Sequence, residues 1–233
     1  MTSRTPSGSA KKRPPRKATV KSHVLDADLV EMRREQIVTA AVELFSTQGY
    51  DRTTILEIAR KAQISVGLIY QYARTKEDVL FLTLLSVLHS YKQEIPEVEP
   101  EDGPLVSLWK ALYAYGRVID RRRSAAVLAY RSTQSLPMAQ RRSIMELETE
   151  TNELLAKRIQ ACVRAGTFRD MNVDLAVYQI VMHAHAWALK HWRLAQLTSL
   201  DVYLKVGFDS FVRAWATPEG MTVFEKFRQI RER

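Results

Sequence analysis

Between Thr54 and Lys76 the chain gathers side chains that can hold a polyanion and read what it carries. Thr54, Ser65, Tyr70 and Tyr72 offer hydroxyl donors and Lys76 an ammonium, the groups that meet phosphate oxygens. Gln71 has an amide donor and acceptor side by side, the pair that matches the edge of adenine bidentately. Ile55, Val66, Gly67 and Leu68 bring only van der Waals contact, of the kind made with thymine methyls. Tyr70 and Tyr72 also admit a reading as core aromatics. Being two apart on a helix, they cannot both face inward.

These groups work only if short helices position them. Apolar spacing predicts a helix from near Glu31, with Ile37, Ala40, Ala41, Leu44 and Phe45 on one face and Gly49 as its stop. Thr53 or Thr54 can cap a short helix, Ser65 a second and Thr75 a longer one carrying Val79, Leu80, Leu82, Leu85 and Leu88. Two short helices joined through Ala62-Gln63-Ile64-Ser65 make a helix-turn-helix, whose second member runs from Ser65 to Tyr72. An ordinary small helical subdomain would show the same periodicity.

The ordered residues Ala40-Ala41-x-x-Leu44-Phe45-x-x-x-Gly49-Tyr50, Thr53-Thr54-x-x-x-Ile58-Ala59, Ile64-Ser65-x-Gly67-x-Ile69-Tyr70-x-Tyr72 and Lys76-Glu77 decide the matter. This pattern resembles the DNA-binding domain of TetR-type bacterial regulators over about a fifth of the chain. The resemblance implies that Thr54, Ser65, Tyr70, Tyr72 and Lys76 clamp the DNA backbone. Two departures stand out. Gln63 occupies a turn position usually held by glycine, so it must reach the turn geometry without glycine's freedom. Ala73 replaces an aromatic and leaves less to bury.

The segment EIPEVEPEDGP, residues 94 to 104, is an acidic Pro-rich linker that breaks the helix. Beyond it, helices are expected over 105–120, 125–134, 137–165, 174–196 and 199–216, with a short charged helix after Pro218. The fold class is therefore all-α: a basic arm (1–24), a helix-turn-helix DNA-binding domain (25–80) and a helical ligand-binding and dimerisation domain (81–233). The number and length of the later helices agree with the second domain of the same family. That resemblance implies that the helix at 174–196 packs with 199–216 against a second subunit; a buried central helix is the plainer reading.

The chain has 233 residues, a net charge of +9 and a pI near 9.7. Seven cations and no acid lie within residues 1 to 24, so the arm alone holds +7. Such an arm is either a solubilising segment, expected to be disordered, or a nucleic-acid arm that gains affinity by displacing counterions. It has no apolar core of a secretory signal. The longest stretches without charge, 13 residues at Val79–Tyr91 and 15 at Leu175–Leu189, fall short of the ~20 that span a bilayer. A cytoplasmic protein with no membrane partner is expected, and the single Cys162 fits that setting.

Catalytic signatures are absent: no G-x-S-x-G, H-E-x-x-H, phosphate-binding or dinucleotide-binding glycine motif occurs. Neither an enzyme nor a cofactor is therefore expected. Cys162 sits on an amphipathic pattern, more suited to a core than to a nucleophile. His183, His185 and His191 have no i, i+4 pair for one metal ion. The reading is a dimeric DNA-binding regulator, a repressor, released from a palindromic operator by a small molecule. A non-specific or architectural DNA-binding protein is the alternative. For the effector pocket, aromatics (Trp109, Tyr113, Tyr130, Trp187), arginines (Arg117, Arg121, Arg131) and His183 and His191 together suit an acyl-CoA thioester. The segment from Ile69 to Leu80 is similar to that of family members controlling acyl-CoA degradation. The aromatics could equally be core, and the arginines a solvated helix end.

Overall fold

The computed structural model describes residues 19–20, 26–99 and 101–231. Most of the basic arm lies outside them. Eleven α-helices make up the described chain, together with one 3₁₀ turn (Thr133–Ser135) and a single β-bridge between Phe168 and Ala216. Among the described residues no helix is long and apolar enough to cross a membrane.

Helix α1 (Ala27–Gln48) begins four residues before the expected Glu31, because the Asp26 carboxylate accepts the amide of Leu29 and caps it there. It ends at Gly49, whose φ of +89° turns the chain. Helix α2 (Ile55–Lys61) starts with a complete capping box: Thr54 accepts the Glu57 amide while Glu57 accepts the Thr54 amide. Helix α3 (Val66–Tyr72) is capped by Ser65, and α4 (Lys76–Glu94) by Thr75. The buried side chains Ile37, Phe45, Ile58, Ile69, Tyr72, Val79 and Leu80 lock these four helices together. Val20 is also buried there, and its carbonyl accepts from Arg34, so the expected disorder of the arm does not extend to this residue.

Helix α4 carries the chain out of this first core and into a second. The boundary expected at residue 80 falls inside it. Its C-terminal half packs with α5 (Pro104–Arg121), α7 (Met138–Arg164) and α8 (Val173–Leu189) around Tyr91, Leu112, Tyr115, Leu155 and Ile180. Helix α6 (Arg123–Ser132) lies between the two cores, and its Leu128 belongs to the first. The linker before α5 is held from below: buried Arg158 of α7 donates to the Pro96 carbonyl.

One expected helix is two. The 174–196 segment breaks at Lys190, which leaves the α-helical region with φ −118° and ψ 22°. Helix α9 (His191–Leu197) follows, then α10 (Leu200–Trp215), capped by Ser199, and α11 (Pro218–Arg231). Periodicity is blind to such a break because apolar residues continue across it.

Candidate DNA interface and effector cavity

The turn before α3 is built by Gln63 at φ 56°, the only non-glycine residue with positive φ among those described. Its amide and that of Ile64 donate to Arg60 and Ala59, which closes the end of α2 and aims α3 outward. On α3 the residues alternate by face. Ile69 and Tyr72 point into the core, while Gly67, Tyr70 and Gln71 are exposed. Tyr70 is 47% exposed and Tyr72 only 2%. Tyr72 is therefore withdrawn from the set expected to meet phosphates: its ring fills the first core. Val66, Leu68 and Ile55 are half-buried, each with one side against that core.

The hydroxyls and the ammonium carry local duties as well. Thr54 Oγ1 donates to Glu57 Oε2 at 2.8 Å while accepting the Glu57 amide at 3.2 Å. Ser65 Oγ accepts only the amide of Leu68, so its proton is left for a phosphate oxygen. Lys76 Nζ donates to the carbonyls of Tyr50 (3.0 Å) and Asp51 (3.1 Å) and lies 4.4 Å from the Tyr50 ring centre. Two of its three protons thus pin the α1–α2 corner, and one remains. Arg74, exposed, lies just beyond the extended Ala73 that ends α3, in the bend that leads to α4. It is absent from the set expected from the sequence, and as it follows the end of α3 no helical spacing marks it.

In the second domain a cavity of about 260 Å³ lies among α4, α5, α6, α7 and α8. Leu84, Val87, Leu88, Ala126, Ala129 and Ile144 form its apolar wall, and Tyr91, Tyr115, Tyr130, Glu148, Asn152 and His185 its polar end. His185 is held between two phenols: Tyr115 Oη is 2.7 Å from Nε2 and Tyr130 Oη is 2.6 Å from Nδ1. A neutral imidazole has one N–H and one lone pair, so one phenol donates to the ring and the other accepts from it. Burial lowers the His185 pKa to about 4 and so keeps the ring neutral. Burial also raises the carboxyl of Glu148. Asn152 is 7% exposed, and its Nδ2 is buried without a hydrogen-bond partner. An unused donor in a cavity calls for an acceptor on whatever enters.

Of the nine residues expected to bind the effector, only Tyr130 lines this cavity. Trp109 packs edge-on against Phe208 of α10. Tyr113 donates to Asp201 at 2.8 Å, and Arg117 pairs with the same carboxylate. Arg121 pairs with Glu94. Trp187 Nε1 donates to Asp120 at 2.7 Å, and the Trp187 ring is buried with Leu200 and Leu204. His183 stacks on Tyr203 with ring centres 4.2 Å apart. Arg131 and His191 line a separate cleft beside α1. The expectation of one shared pocket fails because α8 has two faces: His183 and Trp187 turn to α10, whereas His185 turns to α5 and α6. Among the described residues no group of three His, Cys, Asp or Glu is placed to hold a metal ion. Cys162 is buried, and burial pushes its thiol up to about 12.

Residues 37–82 match the family model for bacterial regulatory proteins of the tetR family, and residues 102–192 match that for the tetracyclin repressor-like C-terminal domain. The HTH-type transcriptional regulator HbdR of Aromatoleum sp. (strain CIB) is 50% identical over 209 residues, 89% of this chain and 91% of its own. The HTH-type transcriptional repressor KstR2 of Rhodococcus jostii (strain RHA1) is 28% identical, over 69% of this chain and 79% of its own. Among solved structures, the regulator FadR from Bacillus subtilis, in complex with stearoyl-CoA, superposes with a TM-score of 0.64 at 19% identity, covering 76% of this chain and 97% of that one.

Proposed function

From the premise that the chain belongs to the TetR family and is a DNA-binding transcriptional regulator, we propose that it is a dimeric repressor released from a palindromic operator by an acyl-CoA thioester. One observation carries the reading. Helix α4 begins beside the recognition helix, with Lys76 pinning the α1–α2 corner, and its later residues Leu84, Val87, Leu88 and Tyr91 wall the cavity. A ligand that wedges α4 moves the corner from which α2 and α3 are hung. It need only bind one of two arrangements better than the other.

The cavity takes the acyl part. Its lining contains no Lys or Arg, so the phosphates of the carrier lie outside it. Its volume is below the ~300–1,000 Å³ usual for small-molecule sites, which favours a compact acyl body. Asn152 supplies the N–H for the thioester carbonyl. The stearoyl-CoA complex of the FadR neighbour supports the ligand class.

Two recognition helices must stand about one helical turn apart, roughly 34 Å, which a single chain does not provide. Leu175, Tyr178 and Met182 on α8 and Val202 and Val206 on α10 are each at least 45% exposed. These residues are spaced to form one apolar face, and they supply a two-fold contact between protomers. The alternative of an architectural DNA-binding protein finds no support among the relatives.

Selection of binding sites from random DNA tests the reading. A palindrome bound at least a thousandfold more tightly than random sequence is expected. Recovery of no preferred sequence would overturn it.

A further inference from the structure

A second cleft, about 530 Å³, opens on the other side of α6, between that helix and the α1–α2 corner. Its chemistry is unlike that of the effector cavity. Three guanidiniums line it, from Arg52, Arg123 and Arg131, against one carboxylate, Asp51. Arg123 is spent on Asp120 and Arg52 Nε on the Gln48 carbonyl. Arg131 has no protein partner among the described residues. Two further polar atoms on the walls, Ser46 Oγ and His191 Nδ1, are buried with no hydrogen-bond partner. The His191 ring is fixed edge-on against Trp187, 5.3 Å between centres, and so presents this nitrogen in a defined direction.

A cleft with surplus positive charge and unused hydrogen-bonding atoms on both walls is the complement of an oxyanion. Guanidinium is the side chain best shaped to grip phosphate bidentately. We propose that this cleft binds a phosphate-bearing small molecule, gripped by Arg131 and reached by Ser46 and His191. The walls belong to different domains: Ser46 sits in the last turn of α1 of the DNA-binding domain, and Arg131 on α6 of the regulatory domain. An occupant therefore clamps one to the other. The phosphate has two sources, a free phosphorylated metabolite or the carrier end of the effector, and the site stands whether or not the cavity takes an acyl group.

Full-length protein titrated calorimetrically with pyrophosphate, at constant ionic strength, tests the proposal. One saturable site per chain is expected. Arg131→Ala should weaken it at least tenfold, and Arg131→Lys, which keeps the charge but loses the bidentate fork, should fall between that variant and wild type. Ser124→Asp places an acid at the exposed lip of the cleft, in the first turn of α6 where acids are tolerated, and should weaken binding similarly. Because Ser124 is exposed, this variant reports even if Arg131→Ala misfolds. Coenzyme A competing with pyrophosphate would assign the carrier end as the source; binding of pyrophosphate without such competition would assign a free metabolite. Absence of a saturable site, or equal binding by wild type and Ser124→Asp, would overturn the proposal. So would a loss in Arg131→Ala confined to operator affinity, since that would make the guanidinium a DNA contact.

Discussion

Gln63 holds a left-handed backbone conformation that costs an L residue about 1–2 kcal/mol. Gln63→Gly should therefore raise stability by roughly 1 kcal/mol, read as a higher denaturant midpoint with unchanged m-value. A fall in the midpoint would mean that the side chain contributes more than the strain removes. On the exposed face of α3, Gln71→Ala should cost about 1–3 kcal/mol and relax preference at one base pair per half-site. Tyr70→Ala should instead weaken binding to all sequences alike. Repeating the site selection with each variant separates the two roles, and an unchanged consensus for Gln71→Ala would contradict the first. His185 makes stability depend on pH. At pH 7 its ring is neutral in the folded chain and mostly neutral in the unfolded one. Below the ordinary value near 6.5 the unfolded chain takes up a proton that the folded chain refuses until about pH 4. Stability is thus lost as pH falls across that window, by about 3 kcal/mol. Urea denaturation between pH 7 and pH 4.5 should show this loss, reduced in His185→Phe; an equal loss in the variant would assign it elsewhere.

Helix starts were legible in the sequence because a cap is local: Thr54, Ser65 and Thr75 each accept an amide three residues on. The exposed face of α3 was legible too, save that Tyr72 faces inward. The cavity among α4 to α8 was not legible. Whether His185 or Trp187 lines it depends on which face of α8 meets α5, and both faces are apolar, so periodicity gives no preference. The α8–α10 contact depends on Gly207, where a Cβ would lie 2.0 Å from the His183 ring. His183 cannot easily yield, being stacked on Tyr203 and met edge-on by Phe211. Gly207→Ala should force α10 from α8, cost about 1–3 kcal/mol and disturb the apolar face they share. Sedimentation of this variant should show a shift from dimer toward monomer. An unaltered dimer of unaltered stability would place the subunit contact elsewhere.

At the scale of the whole molecule, charge and shape divide the work. The arm of residues 1–24 holds +7 of the net +9. Removing residues 1–18, which spares buried Val20, deletes six of its seven cations. If the arm lies on DNA, the slope of log affinity against log salt should flatten by up to about five units; an unchanged slope would show that it does not touch DNA. The core of the account is that a thioester entering the α4–α8 cavity breaks the operator complex. Its most direct test is a fluorescence-anisotropy titration of the selected operator, bound by wild type and by Ala129→Phe, with compact acyl-CoAs and the matching free acids. Ala129 lines the cavity, so the phenyl ring fills the space the acyl group needs. The account predicts release of wild type by a thioester and not by its acid, and no release of Ala129→Phe at the same concentration. Release of neither protein by any thioester, with release of wild type by an uncharged hydrophobe, would contradict it.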